Sequence, residues 1–305
     1  MFLGKKSYLY IINFIYRIYL KNLDIQMRNY LVIIAWLVLS GAVLSGCNGL
    51  SRSSKMMSTD SVAIKSICLA DTSYFPLTTG GKCDIFANVQ IAYPESYLDG
   101  QSTKQLQRLF ARSVLEVSDS ISFDEIFESY ITNIMHQYGV SDNEKPEDVE
   151  DDYESVYQYA SNTSISPVYN CNKILSFCKT EVTKKNGKQT MLTHRYYNFD
   201  LTTMKRIEYN DLFLDSSMED VAAIIKKVLV KQMNVKNEEE LINLGYFNLD
   251  NLRATNNFCI GKDGVTWTYL PYEIALLSVG ETNVTVSYDD LDMLMQDNDL
   301  TARLR

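Results

Sequence analysis

The side chains with which this chain of 305 residues could do chemistry are 38 carboxylates, 6 cysteines and only 2 histidines. His136 and His194 lie far apart, neither sits in a motif with a candidate nucleophile, and no Gly-x-Ser-x-Gly turn occurs. The nucleophile and base pairs of hydrolases therefore have no local signature. Zinc fares no better, since Cys-x-x-Cys and His-x-x-x-His spacings are absent. The carboxylate that stands out is Glu273, held in Leu270-Pro271-Tyr272-Glu273-Ile274 by a proline-fixed turn between aromatic residues. General acid or base work needs a second group within hydrogen-bond reach, and none is suggested beside it. Tyr272 and Glu273 read first as residues that satisfy backbone groups where a strand meets a turn. The enzymatic alternative is a hydrolase or deacetylase-type enzyme using paired carboxylates brought together by folding. No catalytic residue, cofactor or metal ligand is assigned.

Binding is the better use of these residues. Tyrosine and tryptophan give large amphipathic contact area at low entropy cost. Tyr196, Trp267, Tyr269 and Tyr272, with Glu273, are the candidate ligand-binding residues, and Tyr197 lies beside the first of them. Strand alternation sends Trp267 and Tyr269 to one face, so part of this aromatic set goes to the core.

Cys47 ends Leu44-Ser45-Gly46-Cys47, directly behind the uncharged run 31–44 and after Arg28. This resembles the lipid-attachment sequence of a bacterial lipoprotein, with a basic n-region and an apolar h-region. The run is shorter than the roughly 20 residues of a membrane span. The resemblance implies that residues 1–46 are a signal peptide, with Met27 as the true start, and that Cys47 carries the lipid. It also implies a cell-envelope location. Asn48, where an aspartate would signal retention at the inner membrane, points to the outer membrane, facing the periplasm or the surface.

The formal net charge is -9. Loss of residues 1–46 removes five basic side chains (Lys5, Lys6, Arg17, Lys21, Arg28) and only one acidic one (Asp24), leaving a more acidic protein. That balance excludes nucleic acid and an anionic membrane surface as partners, because both require clustered Lys and Arg. It suits solubility or a cationic partner. Cys68 and Cys83 are the candidate disulfide, placed near two predicted strands in a compartment that permits one.

The elements that must position these residues follow from periodicity. A polar stretch to residue 60 reads as a tether. In an N-terminal α+β domain over 61–141, apolar residues mark strands over 62–70 and 83–93, the second with strict alternation from Cys83 to Tyr93. Two helical stripes follow, over 106–117 and 123–138, with Ser122 and Glu125 as a capping box. The acidic stretch 142–152 reads as a linker and lacks the ligand spacing of a calcium loop. In the C-terminal domain, 153–305, strands are predicted over 153–160, 174–184, 190–201 and 205–209, with Asn186-Gly187 as a hairpin turn. A helix follows with Ser216 and Glu219 as its capping box, then strands over 257–260, 265–270 and 283–287 and a helix capped by Ser287. Strands, helices, strands and helix give an α+β class: mixed or antiparallel sheets with helices packed on one face, in two small tandem domains.

The C-terminal pattern carries a resemblance. Asn257-Phe258-Cys259-Ile260, Gly264-Val265-Thr266-Trp267-Thr268-Tyr269, Pro271-Tyr272-Glu273-Ile274-Ala275, Gly280 and Val286-Ser287-Tyr288-Asp289-Asp290-Leu291 occur in that order. They closely resemble the C-terminal domain of the RsiV-like family. Asn198-Phe199-Asp200-Leu201-Thr202 and Asn210-Asp211-Leu212-Phe213 extend the resemblance over roughly 153–298. The family's domain occurs in an anti-sigma factor whose ectodomain binds lysozyme, beside a peptidoglycan deacetylase catalytic domain, and in envelope lipoproteins of unassigned function. Many members carry Gly-Gly-Ala-His where this chain has Lys185-Asn186-Gly187-Lys188, so that histidine has no counterpart here. A lipoprotein cleaved before Cys47 lacks the membrane helix and cytoplasmic segment of an anti-sigma factor. What the resemblance and the residues together imply is a non-catalytic envelope lipoprotein that binds a cell-wall glycan or a protein such as lysozyme.

Overall fold

The computed structural model describes residues 61–76, 82–118, 122–141, 157–185 and 188–305. Cys47, the expected signal peptide over 1–46 and the expected linker over 142–152 lie outside them. Strands β1 (Ala63–Pro76) and β2 (Lys82–Ser96) pair antiparallel. On β2 the alternation works as expected: Ile85, Ala87, Val89 and Ile91 are buried, while Phe86, Asn88 and Gln90 face out. The register corrects the expected disulfide. Cys68 stands opposite Gln90 and Cys83 opposite Phe75, seven positions apart. At about 3.4 Å per residue that separation is roughly 24 Å, against less than about 7 Å between the Cα atoms of a disulfide. Cys68 is a free, exposed thiol.

Helix α1 (Gly100–Phe110) starts at Asp99, whose carboxylate accepts the N–H groups of Gln101 and Ser102 at 2.9 and 2.8 Å. It runs into a π-helical turn, Ala111–Leu115, that ends at Glu116 in the left-handed region with φ 56°. Helix α2 (Phe123–Ser141) follows. One arm of its expected capping box forms, the Ser122 N–H donating to Glu125 Oε2 at 3.1 Å, while the serine hydroxyl turns to the same oxygen at 2.7 Å. Leu106, Phe110, Ile126 and Tyr130 from these helices pack on Ile85, Ile91, Phe177 and Phe199 of the sheet.

That sheet crosses the boundary drawn from sequence. Its order is β1-β2-β3-β4-β5-β6, where β3 is Tyr157–Cys171, β4 Ile174–Lys185, β5 Lys188–Asp200 and β6 Lys205–Ile207. β2 and β3 pair in parallel, Ile85 opposite Tyr159 and Ile91 opposite Ile165, and the remaining pairs are antiparallel. The α+β class and the mixed sheet are as expected, but 61–141 and 153–305 are not tandem domains with separate sheets. The described residues from 61 to 305 belong to one compact unit. The strand predicted over 153–160 continues to Cys171 because its core face carries Ser161 and Thr163 as well as Ile165. Small buried polar residues leave no hydrophobic signal, and Pro167 sits at a bulge opposite Phe177, where a missing donor is tolerated.

A second sheet, β7 (Phe258–Ile260), β8 (Gly264–Tyr269) and β9 (Thr282–Ser287), is antiparallel. Its core side, with Phe258, Ile260, Trp267 and Val284, joins Val221, Ile225 and Leu229 of a helix, Met218–Gln232 (α4), which follows a short helix, Tyr209–Leu212 (α3). Ser217 stands at the N-cap of α4 in place of the expected Ser216, and its hydroxyl donates to Leu214 O at 2.7 Å. The capping box forms one element earlier, at Glu208 and Asp211 of α3. Among the described residues no helix is long and apolar enough to cross a membrane.

Two asparagines fasten the small sheet to the large one. Asn198, buried on β5, accepts the Ser176 hydroxyl at 2.7 Å and the Ile260 N–H at 3.1 Å, and donates to Phe258 O at 2.7 Å. Asn257 does the equivalent at the sheet edge.

Candidate functional site

β6 pairs with β5 only over Asn198–Asp200. Two residues further back along the strand, His194 to Tyr196 would present unpaired groups on that edge, and the Asn257 side chain takes the place of a neighbouring strand. The Tyr196 N–H donates to Asn257 Oδ1 at 3.1 Å, and Asn257 Nδ2 donates to His194 O and to Thr268 O, each at 3.1 Å. A side-chain amide can do this because, like a backbone peptide group, it carries both a carbonyl acceptor and N–H donors, with one N–H more. The neighbouring Asn256 turns the other way, its Oδ1 accepting the Tyr209 N–H at 2.8 Å.

A groove of about 580 Å³ opens against this edge. Arg112, Ser113 and Glu116 come from the π turn and its exit; Arg195, Tyr196 and Tyr197 come from β5; Arg206 comes from β6. Asn256 and Asn257 precede β7, and Leu270 and Glu273 follow β8. The π turn places its residues here: the Glu116 N–H reaches back to Ala111 O, and the Val117 N–H also bonds Ala111 O at 3.2 Å around a left-handed Glu116. Such turns and such backbone cluster at functional positions. Arg206 lies over the Tyr197 ring at 5.0 Å, and burial raises the Tyr197 phenol above its ordinary pKa.

The groove brings together two of the residues singled out by sequence, Tyr196 and Glu273. The Glu273 carboxylate accepts the Leu270 N–H at 2.9 Å, and its own N–H donates to Leu270 O at 3.1 Å, so it builds the turn on which it sits. Tyr272 projects from the same turn, 63 % exposed with φ 71°. Trp267 and Tyr269 are corrected: they are 0 % and 2 % exposed and belong to the core, with the Tyr269 hydroxyl donating to Arg253 O at 2.8 Å. Alternation on β8 turns both inward, where ring volume is worth more to packing than to a ligand. The arginines had no local signal beyond Arg195 preceding two tyrosines, since the groove is assembled from segments far apart in the chain.

Neither histidine joins the groove. His136 is exposed on α2, and His194 Nδ1 is 2.6 Å from Glu281 Oε2. Burial pushes the Cys178 thiol up, and pushes the Cys259 thiol up to about 12, which keeps both protonated and poorly nucleophilic. Burial likewise raises the Tyr196 phenol.

Residues 210–289 match the family described as "Protein of unknown function (DUF3298)". This stretch is similar to the DUF3298 family. The match agrees with the resemblance noted above for the C-terminal pattern. Two solved structures share the fold. A DUF3298-family member from Bacteroides fragilis NCTC 9343 is 17% identical, covers 81% of this chain and 99% of that chain, and has a TM-score of 0.65. A DUF3298 family protein from Pseudomonas aeruginosa PAO1 is 13% identical, covers 78% of this chain and 96% of that one, and has a TM-score of 0.53. No curated protein matches the chain.

The groove straddles the limits of the DUF3298 stretch. Asn256, Asn257, Leu270 and Glu273 lie within it, whereas Arg112, Arg195, Tyr196, Tyr197 and Arg206 lie before it. The DUF3298 residues thus supply the wall that braces the edge of β5, and the charged wall comes from the rest of the chain.

Proposed function

We propose that this chain is a non-catalytic lipoprotein of the cell envelope, anchored through Cys47 after removal of residues 1–46, whose groove binds a cell-wall glycan. The observation that carries the reading is the lining: planar polar side chains, Arg195, Arg206 and Asn256, beside Tyr196, with the exposed Tyr272 on the turn that brings Glu273 to the groove. Glycans are recognised by such a mixture, because sugar hydroxyls need in-plane donors and acceptors while ring faces rest on aromatic surface. Glu273 supports binding over catalysis, since its carboxylate is engaged by the backbone of its own turn.

The test is incubation with purified peptidoglycan. The protein should be retained on the sacculi without releasing soluble fragments or acetate. Turnover that Glu273→Gln abolishes would instead establish the hydrolase or deacetylase alternative using paired carboxylates. A cationic protein such as lysozyme is the second reading, favoured by the net charge of -9. Its affinity should fall steeply with salt, because exposed charges are screened beyond a Debye length of about 8 Å at physiological ionic strength. No binding at low ionic strength removes that reading. Palmitate labelling that disappears in Cys47→Ser, with the labelled protein in the outer-membrane fraction, tests the anchor and its membrane.

A further inference from the structure

We infer that the ligand of the groove carries an oxyanion, a carboxylate or a phosphate, held by Arg112, Arg195 and Arg206. The inference rests on the reading of the groove as a glycan site and specifies which glycans enter it. The chain has 38 acidic against 29 basic residues, so carboxylate partners for an arginine are easy to supply. The C-terminal arginines have them: Arg303 is 2.7 Å from Asp200 and 3.3 Å from Asp299, and Arg305 is 2.6 Å from Asp292. Arg112, Arg195 and Arg206 take part in none of the ion pairs among the described residues. Yet three separate elements deliver them to one groove.

Their surroundings add to the positive charge. Arg195 stands directly opposite Lys179 in the β4–β5 register, an unfavourable pairing of like charges. The lysine is drawn away to Glu181 at 3.2 Å, which leaves the guanidinium uncompensated. Arg206, with its guanidinium carbon 5.0 Å from the centroid of the Tyr197 ring, is held at the groove by that cation–π contact. A guanidinium held in this way fits two oxygens of one anion. Of the two carboxylates in the lining, Glu273 is committed to the Leu270 N–H at 2.9 Å. Glu116, exposed at the exit of the π turn, is left to accept hydroxyl groups of the same ligand.

The full-length protein, titrated calorimetrically with three probes, tests this: muramyl dipeptide, which carries a carboxylate; glycerol phosphate; and neutral chitotetraose. One of the two anions should bind at least about tenfold more tightly than chitotetraose, and its affinity should fall as salt rises. The preferred anion distinguishes a peptide-stem carboxylate from a phosphate-bearing wall polymer. Arg195→Gln and Arg206→Gln should each weaken that anion by about tenfold or more, while Arg305→Gln leaves it unchanged. Arg195→Lys, which keeps the charge and loses the fork, should fall between and guards against a folding defect. Equal affinity for chitotetraose with no effect of the arginine substitutions overturns the oxyanion and leaves glycan binding standing. Anion binding by a protein that sacculi do not retain overturns the glycan reading alone, and failure of all three probes together with sacculi overturns both.

Discussion

Asn198 and Asp200 show how much of this molecule rests on single polar side chains. Asn198 satisfies three groups at the joint between the sheets, so Asn198→Ala leaves the Phe258 carbonyl, the Ile260 N–H and the Ser176 hydroxyl without their partner. Leaving a buried polar group unsatisfied costs about 1–3 kcal/mol, and the expected loss is about 3 kcal/mol or more, read as a lower urea midpoint at unchanged slope. Asp200 is buried, which by itself raises its pKa, but the Arg303 guanidinium at 2.7 Å, the Thr202 N–H and the Thr203 hydroxyl together outweigh that and hold it below the ordinary carboxylate value. A depressed folded-state pKa stabilises the fold above the unfolded value of about 3.9 and stops doing so as pH falls through the lower folded value. Denaturation midpoints should therefore drop below about pH 4, and Asp200→Asn should be less stable at neutral pH and flatter across that acid range. Both residues lie in the segment 198–202 quoted from the sequence as part of a family pattern, and the structure gives that pattern a structural meaning. The groove arginines were not legible in the same way, because an exposed arginine in a strand or helix looks like solvated surface until its neighbours are known.

At the scale of elements, the π turn is the feature that periodicity could not anticipate. The apolar stripe over 106–117 predicts one uninterrupted helix, and Leu106, Leu109, Phe110, Val114 and Val117 are all buried. A π turn keeps the stripe on the core while rotating Arg112 and Glu116 toward the groove, so the hydrophobic pattern is nearly blind to it. A left-handed non-glycine residue costs roughly 1–2 kcal/mol, and glycine relieves it. Glu116→Gly should stabilise the protein by up to about 1 kcal/mol, a rise in Tm of about 2–4 °C for a unit of this size. If Glu116 contacts the ligand, the same variant should bind it more weakly, a loss of function at higher stability. The edge brace from Asn257 was equally hidden, since it depends on partners distant in sequence.

At the scale of the whole molecule, the parallel pairing of β2 with β3 decides that the two halves fold together. Nine residue pairs from Cys83↔Tyr157 to Ile91↔Ile165 would be broken by separating them. Phe177 and Phe199, from the C-terminal half, complete the core beneath α1 and α2. The chain has only two tryptophans, Trp36 and Trp267, so in protein lacking residues 1–46 the fluorescence of Trp267 reports on the small sheet alone. Far-UV circular dichroism and that fluorescence should give coincident urea transitions, the signature of one cooperative unit. Two separated transitions would show that the halves unfold independently.

Local rules account for what the amino-acid sequence determined unaided: the strands of strict alternation such as β2, the amphipathic stripes of α2 and α4, the α+β class, and the turn that holds Glu273. Each depends on residues within a few positions of one another, where periodicity and hydrogen-bond reach are set by covalent geometry. Tertiary structure alone decided the strand register that keeps Cys68 from Cys83, the joining of the halves through one sheet, the burial of Trp267 and Tyr269, and the meeting of Arg112, Arg195 and Arg206 beside Tyr196. These depend on which distant segments share a face, and the free energy that selects them comes from burying both sides of a sheet whose strands, taken singly, could have paired elsewhere.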